Sequence, residues 1–182
     1  MRVISGSKKG YKLKGPKGKD IRPTEDRIKE SLFNILGYIN EGSTALDLFA
    51  GSGSIGIEFL SRGASKVYFI DKSYWSIRAI KENLIRTKLE EKAVVIKNDA
   101  IKGIRMLDTK NIKFDYIFAD PPYGENLIIR ILENIWNQDI LKMNGTIILE
   151  HEKSLVLGNE VHGFRRMDFR NYGGKSLSFY TN

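Results

Sequence analysis

The sequence has no cysteine and only two histidines, His151 and His162. The lack of cysteine excludes disulfides, a thiolate metal site and a catalytic thiol, and two separated histidines are too few for a His-rich cluster, so no metal site is predicted. Long apolar runs are missing as well. None approaches the roughly 18 residues that span a bilayer, and the first ten residues lack the apolar core of a signal peptide. We therefore expect a soluble, cytoplasmic protein.

Almost all of the excess positive charge lies at the amino terminus. The net charge is +8, and residues 1–22 hold eight basic residues against one acid. A polyanion is the natural partner of such a segment. Val3 and Ile4, then Tyr11 and Leu13, flank a Gly- and Lys-rich stretch and predict a short β-hairpin, with a flexible basic tail as the alternative. We predict an RNA-facing extension over 1–22 that uses four lysines: Lys8, Lys9, Lys12 and Lys14.

The rest of the 182-residue chain fits one domain over 1–182, with its core over 23–182. An amphipathic helix is predicted between a Thr24 N-cap and Gly37, from the spacing of Ile28, Leu32, Ile35 and Leu36. Near-continuous apolar runs then predict strands buried on both faces, as in a parallel sheet: 45–49, 66–70, 93–97, 114–119 and 145–150. Helical patterns alternate with them: 54–63, 74–88, about 101–107 and 125–137.

The carboxyl terminus differs from this alternation. FRRMDFR and SLSFYT flank a turn at 171–174 and predict an antiparallel hairpin. The sequence therefore predicts an α/β fold with a mostly parallel, seven-stranded Rossmann-like sheet that ends in this hairpin.

A glycine-rich loop follows the first predicted strand. Gly51, Gly53 and Gly56 allow a sharp turn and a close approach of a ligand to the backbone, and the helix start offers free N–H groups. Asp71 ends the second strand 20 residues after Gly51, where an acid can accept hydrogen bonds from ribose hydroxyls. The pattern predicts nucleoside binding; the alternative is a turn whose glycines serve only packing. A nicotinamide enzyme also matches this pattern, but it would need a further substrate domain.

The neighbouring acids favour S-adenosylmethionine. Asp47 lies in the strand that enters the loop, where its carboxylate can meet a cationic amino group. Asp99 follows the third strand and can accept a hydrogen bond from the adenine amino group, with the Ala100 amide donating to a ring nitrogen. A simple helix-capping role for Asp99 is the alternative. Tyr74 and Trp75, just past Asp71, can pack against the adenine, with the core as the alternative place for Trp75.

The sequence Asp120-Pro121-Pro122-Tyr123 directly follows the fourth strand and is the most specific motif of the chain. The amino group of a nucleobase is a poor nucleophile because its lone pair is delocalised into the ring. The Asp120 carboxylate and the Pro121 carbonyl can accept its two N–H groups and favour a localised lone pair, while the prolines stiffen the loop. Tyr123 offers a face for a base that has left its stack. A rigid turn with a buried aromatic is the alternative.

ALDLFAGSGSIG together with DPPY resembles the Rossmann-like class I methyltransferases that modify amino nitrogens of nucleic acids. MRVISGSKKGYKL, RPTEDRIKESLFNIL, LDLFAGSGSIGIE and FADPPY closely resemble the bacterial 16S rRNA guanine-N2 methyltransferases of the ribosomal small subunit methyltransferase D family, over essentially the whole chain. The resemblance implies S-adenosylmethionine as methyl donor, monomeric action on the assembling small subunit and one target guanine. It implies a cofactor group of Asp47, Phe49, Gly51, Gly53, Asp71 and Asp99. It implies a catalytic group of Asp120, Pro121, Pro122 and Tyr123.

Several further residues are candidates on weaker grounds. Arg22, Thr24 and Arg27 match the family's substrate-side segment, and ordinary surface charge is the alternative. Glu150 and His151 end the fifth predicted strand on the same rim, where a structural role is the alternative to a role in the site. Two other functions stay open at this point: an adenine-N6 methyltransferase acting on another RNA or on DNA, and a non-catalytic RNA-binding assembly factor.

Overall fold

The core of the protein is a single twisted sheet. The computed structural model describes residues 1–16, 26–122 and 125–182, and within these ranges the sheet has eight strands in the order β3-β2-β1-β4-β5-β8-β7-β6. The first five run parallel and the last three are antiparallel. Their bounds are β1 (Thr44–Leu48), β2 (Lys66–Asp71), β3 (Ala93–Lys97), β4 (Phe114–Ala119), β5 (Leu141–Glu152), β6 (Glu160–Val161), β7 (Phe164–Tyr172) and β8 (Lys175–Thr181).

Helices cover both faces of the sheet. Their bounds are α1 (Asp26–Leu36), α2 (Ser54–Ser61), α3 (Tyr74–Thr87), α4 (Ala100–Asp108) and α5 (Glu125–Asn137). The apolar sides of α1, α2 and α3 form one core cluster with Phe118, Ile148 and Phe179 of the sheet. Those of α4 and α5 form a second cluster on the opposite face. This two-faced burial is why the parallel strands are mostly apolar. Within the described ranges no helix is long and apolar enough to cross a membrane.

The predicted α/β fold is confirmed, with two differences at the carboxyl-terminal side of the sheet. β5 begins at Leu141 and ends at Glu152, so it is longer than the predicted 145–150. Its polar start interrupts the apolar pattern, and its register against β4 shifts between Phe114 and Tyr116. The sheet also gains β6, whose two residues pair only with β7 and are too few to give a sequence pattern.

The N-terminal segment, defined here as residues 1–16, is folded onto the core, but it is not a regular hairpin. One antiparallel bridge joins Arg2 to Lys12. Val3 and Leu13 are buried. The N–H groups of Ile4 and Ser5 donate to the Glu58 carboxylate of α2, at 2.8 and 2.9 Å, instead of to a partner strand. The predicted hairpin is therefore present in a minimal form, in which the Val3 N–H donates to the Tyr11 carbonyl at 3.0 Å and the Leu13 N–H donates to the Met1 carbonyl at 3.2 Å.

Glu58 is the centre of a buried charge network that sequence reasoning missed. The Lys29 ammonium of α1 lies 3.4 Å from its carboxylate, and both side chains are 0% exposed. Arg62 donates to the same carboxylate at 2.9 Å, and Lys29 also donates to the Arg2 carbonyl. Burial lowers the pKa of Lys29, an effect that the negative charge of Glu58 opposes. The network ties the N-terminal segment and α1 to α2, which starts at the glycine-rich loop.

Candidate functional site

The glycine-rich loop lies where the strand order reverses. β1 pairs with β2 on one side and with β4 on the other, so its carboxyl end is the switch point at which open α/β sheets bind ligands. The chain turns there through three residues with positive φ: Phe49 at 57°, Gly51 at 55° and Gly53 at 76°. Phe49 has a side chain in this unfavourable region, which costs on the order of 1 kcal/mol or more and is common at ligand sites.

Packing requires glycine at position 56 and restricts the space at Gly53. A Cβ on Gly56 would lie 2.2 Å from Phe69 Cε1, so the first turn of α2 rests directly on β2. A Cβ on Gly53 would lie 3.2 Å from Ile80 Cγ1 of α3, and its φ is also positive. The packing alternative therefore accounts for Gly56. At Gly51 and Gly53 the backbone turn itself needs glycine.

Two acids hold this loop in shape. Asp71, which ends β2, accepts the N–H groups of Gly51 and Ser73 at 2.9 and 2.8 Å. Asp47 in β1 is buried and accepts the N–H of Gly56 at 2.9 Å. Burial, together with the negative charges of Asp71 and Asp120, raises the pKa of Asp47 well above its ordinary value. A cation bound beside these acids would relieve their mutual repulsion and favour the ionised form of Asp47, so the site suits a cationic ligand.

Asp99 occupies the capping position of α4. Its Oδ1 accepts the N–H groups of Ile101 and Lys102 at 3.0 and 3.3 Å. Asp99 therefore caps the helix, which was the alternative to a contact with adenine. The next residue, Ala100, is buried. Tyr74 and Trp75 are 59% and 44% exposed and contact each other edge to face, so Trp75 is not a core residue. Their position after Asp71 leaves an aromatic surface beside the loop.

Asp120 lies across the switch point from this loop. β4 pairs with β1 up to Leu48 and Ala119, so the next residues in register are Phe49 and Asp120. Burial and the neighbouring charge of Glu150 raise the pKa of Asp120 to about 7, and the charge of Lys175 opposes this rise. Pro121 is buried and Pro122 is exposed. Tyr123 lies outside the described residues.

A buried ion pair adjoins Asp120, and sequence reasoning gave it little weight. Glu150 of β5 is 1% exposed and forms an ion pair with Lys175 of β8. His151 does not take part in it: its Nε2 lies 2.8 Å from Ser178 Oγ and its Nδ1 2.8 Å from the Glu152 carbonyl oxygen. Because neighbouring strand residues point to opposite faces, His151 has a structural place while Glu150 faces Asp120.

The N-terminal lysines lie along α2 and α3. Lys9, Lys12 and Lys14 are exposed, and Lys8 is half-buried. The buried Asn83 of α3 accepts the Lys14 N–H at 2.9 Å and donates to the carbonyl oxygens of Lys14 and Ser52, both at 2.9 Å. The basic segment is thus clamped to the glycine-rich loop through one side chain. Arg27 is exposed on α1. Arg22 and Thr24 lie outside the described residues.

The chain is similar to known proteins over nearly its full length. YlbH of Bacillus subtilis is 39% identical over 180 residues, which are 99% of this chain and 98% of that protein. The ribosomal RNA small subunit methyltransferase D of Haemophilus influenzae is 38% identical over 159 residues, 86% of this chain and 81% of that protein. The solved structure of yhhF from Escherichia coli matches 100% of this chain and 97% of its own with a TM-score of 0.85 at 27% identity.

The fold is accordingly the Rossmann-like class I methyltransferase fold. A family model described as conserved hypothetical protein 95 matches residues 1–181. The chain belongs to this family, that of the ribosomal RNA small subunit methyltransferases D.

Proposed function

We propose that the protein is an S-adenosylmethionine-dependent rRNA methyltransferase that methylates the exocyclic N2 of a guanine in 16S rRNA of the small ribosomal subunit. The observation that carries this proposal is the juxtaposition of Asp120 with the glycine-rich loop across β4 and β1. Two supports come from relatives: a small subunit rRNA methyltransferase is 38% identical to the chain, and the resemblance of the motifs implies guanine-N2 chemistry. We further propose that the protein acts as a monomer in the cytoplasm, on 16S rRNA or the assembling small subunit.

The residues around the loop fit S-adenosylmethionine. The close packing and positive φ at Gly53 favour a residue without a side chain at this point of the turn. Asp71 would hold the ribose hydroxyls, and Asp47 would hold the cationic amino acid part, whose positive charge would favour the ionised form of this carboxyl group. Asp99 keeps its Oδ2 outside the two cap bonds described above, so it remains our candidate for the adenine amino group, with the Ala100 amide beside it. When bound, the cofactor supplies an electrophilic methyl group.

Asp120 and Pro121 would prepare the nucleophile. The ionised Asp120 carboxylate and the Pro121 carbonyl accept the two N–H groups of the base, which favours a lone pair localised on nitrogen. The stiff Pro121-Pro122 loop fixes both acceptors before the base arrives, so little reorganisation is needed in the transition state. Tyr123 would stack on the flipped base, and Pro122 would restrict how the loop moves around it. Acceleration then comes mainly from positioning.

The experiment that tests this function is incubation of the purified protein with labelled S-adenosylmethionine and under-methylated small subunits, followed by nucleoside analysis. We expect N2-methylguanosine. N6-methyladenosine would replace the guanine assignment with an adenine-N6 methyltransferase. If no labelled nucleoside formed on either free rRNA or particles, an RNA-binding assembly factor without catalysis would be the better description.

The lysines of the N-terminal segment are expected to bind substrate phosphates. Replacing Lys8, Lys9, Lys12 and Lys14 with glutamine should weaken RNA binding. The salt dependence of the affinity should also become shallower, by about one unit of slope for each phosphate that the variant no longer binds. The measurement is the dissociation constant for a small-subunit RNA fragment at several salt concentrations.

The matched control carries the same four changes where we expect no contact with RNA. Lys88, Lys92, Lys110 and Lys113 are exposed and lie just before β3 and β4, at the edge of the sheet opposite the glycine-rich loop. Both variants lose the same net charge, so a general electrostatic effect would change both slopes equally. Equal slopes in the two variants would reject the N-terminal segment as the RNA-binding site. That result would also leave Arg22, Thr24 and Arg27 as the remaining candidates for substrate contact.

A further inference from the structure

Asp120 has an acidic neighbour on the same face of the sheet. β4 and β5 are paired in parallel up to Ala119 and Leu149, so Asp120 and Glu150 are the next residues in register on strands about 4.8 Å apart. By alternation their side chains lie on the face of Phe118 and Ile148, which belong to the core under α1. Glu150 is also 1% exposed. Two buried carboxylates this close do not both ionise readily.

A cation from the next strand compensates this repulsion. β8 pairs antiparallel with β5, with Glu150 opposite Leu177 and Glu152 opposite Lys175. The Lys175 side chain reaches across to form an ion pair with Glu150. Its charge opposes the rise in the pKa of Asp120 that burial and Glu150 cause. Without Lys175, the buried Glu150 carboxylate would lack a compensating charge and would destabilise the fold. Without Glu150, Lys175 would form a tight ion pair with Asp120. The Glu150–Lys175 pair avoids both arrangements.

The other described groups around Asp120 do not supply a compensating positive charge. Asp47 of β1 adds negative charge and is itself affected by Asp120. Asp71 lies one strand further away, on β2. From the side of α1, the Ser31 hydroxyl contacts the hydroxyl of Tyr172 on β7, a neutral contact. Lys175 is thus the cation among the described residues that acts on Asp120.

We propose that Glu150 and Lys175 are positioning residues for methyl transfer: as a pair they set the charge on Asp120 and so keep it able to accept the amino group of the base. This inference rests on the function proposed above. The pair does not touch the reacting atoms. The charges fix the fraction of protein in which Asp120 is ionised, so their effect depends on pH, whereas a purely structural pair would change the rate equally at every pH.

The test is the pH dependence of kcat/KM in single and double variants. The wild type is expected to gain activity as the pH rises, with a midpoint near the pKa of about 7 of Asp120. Lys175→Met leaves Glu150 uncompensated and should move the midpoint up by about one pH unit or more, while Glu150→Gln should move it down by a similar amount. Lys175→Arg retains the charge and should retain the wild-type midpoint. The midpoint of the double variant Glu150→Gln/Lys175→Met should lie at a lower pH than that of Lys175→Met.

A titration that does not need activity separates this inference from the proposed function. The carboxyl carbon of Asp120 can be followed by NMR in protein labelled on its aspartates, with Asp120→Asn for assignment. Opposite shifts of its midpoint in Lys175→Met and Glu150→Gln support the inference even if no guanine is methylated. Should Lys175→Met not fold, Glu150→Gln, which removes a buried charge, still gives the decisive comparison. Coincident midpoints in wild type and Glu150→Gln would overturn the inference.

Discussion

Replacing Asp120 with alanine is expected to lower kcat for methyl transfer by about 100-fold or more, while the affinity for S-adenosylmethionine changes only a few-fold. The reason is that different residues serve the cofactor and the base on the two sides of the switch point. The carboxylates that shape the cofactor loop come from β1 and β2, as Asp47 and Asp71. Asp120 follows β4 and faces the same opening from the other side. The measurements are single-turnover methylation of small subunits and calorimetric titration with the cofactor.

Asp120→Asn is the control for shape. Its amide oxygen still accepts one N–H group, so it should retain more activity than the alanine variant. Near-normal turnover in Asp120→Ala would show that the amino group of the base is activated elsewhere. If cofactor affinity fell as steeply as turnover, Asp120 would belong to the cofactor site instead.

The pH dependence of protein stability gives a second control, because the direction of the change can be predicted. The pKa of Asp120 is raised from 3.8 to about 7 in the fold. The stability that the protonated group contributes is therefore fully present below 3.8 and is lost as the pH rises through about 7. Asp120→Asn cannot ionise, so its Tm should exceed that of the wild type by a larger margin at about pH 8 than at about pH 4. A reversed order would contradict the burial of this carboxyl group.

Replacing Glu58 with alanine is expected to destabilise the protein by about 3–5 kcal/mol, with a Tm lower by roughly 10 °C. The change leaves the Lys29 ammonium buried without its partner, and both side chains are 0% exposed in the wild type. It also removes the acceptor of the N–H groups of Ile4 and Ser5. Thermal unfolding followed by circular dichroism measures the effect.

Two further variants allow the loss of stability in Glu58→Ala to be compared with the loss of other charged groups. Lys29→Met removes the ammonium but leaves Glu58 with Arg62 and two N–H donors, so a smaller loss is expected. Glu82→Ala breaks two exposed ion pairs, one with Arg78 at the same i, i+4 spacing as the Glu58–Arg62 pair and one with Lys14, and should change the Tm little. If Glu58→Ala were no more harmful than Glu82→Ala, the buried network would not stabilise the N-terminal segment.

The parts of the structure that could be predicted are those with a local signal. Strands of a sheet that is covered on both faces are mostly apolar, so β1 to β4 were predicted within one residue of their observed bounds. The turn glycines, Asp71 and the Asp120 motif also have fixed positions relative to strand ends. Parallel strands place all their carboxyl ends at one edge of the sheet, so these separate motifs necessarily meet.

The parts that were missed depend on pairing between distant residues. Lys29 and Glu58 look like the charged face of two amphipathic helices, and only tertiary packing places them together in the core. Glu150 and Lys175 are 25 residues apart and meet through an antiparallel pairing whose register has no sequence signature. The docking of the N-terminal hairpin onto the core was missed for the same reason, because a distant carboxylate binds the N–H groups of Ile4 and Ser5.

The location of Glu58 has a consequence for how the chain folds during synthesis. Ile4 and Ser5 leave the ribosome 54 and 53 residues before the carboxylate that binds them. At about 5–20 residues per second, they wait roughly 3–11 seconds for it to be made. Lys14 waits still longer, for Asn83, 69 residues later. During this time Val3 and Leu13 have no core to enter, and the flanking lysines keep the nascent segment hydrated until α2 and α3 emerge.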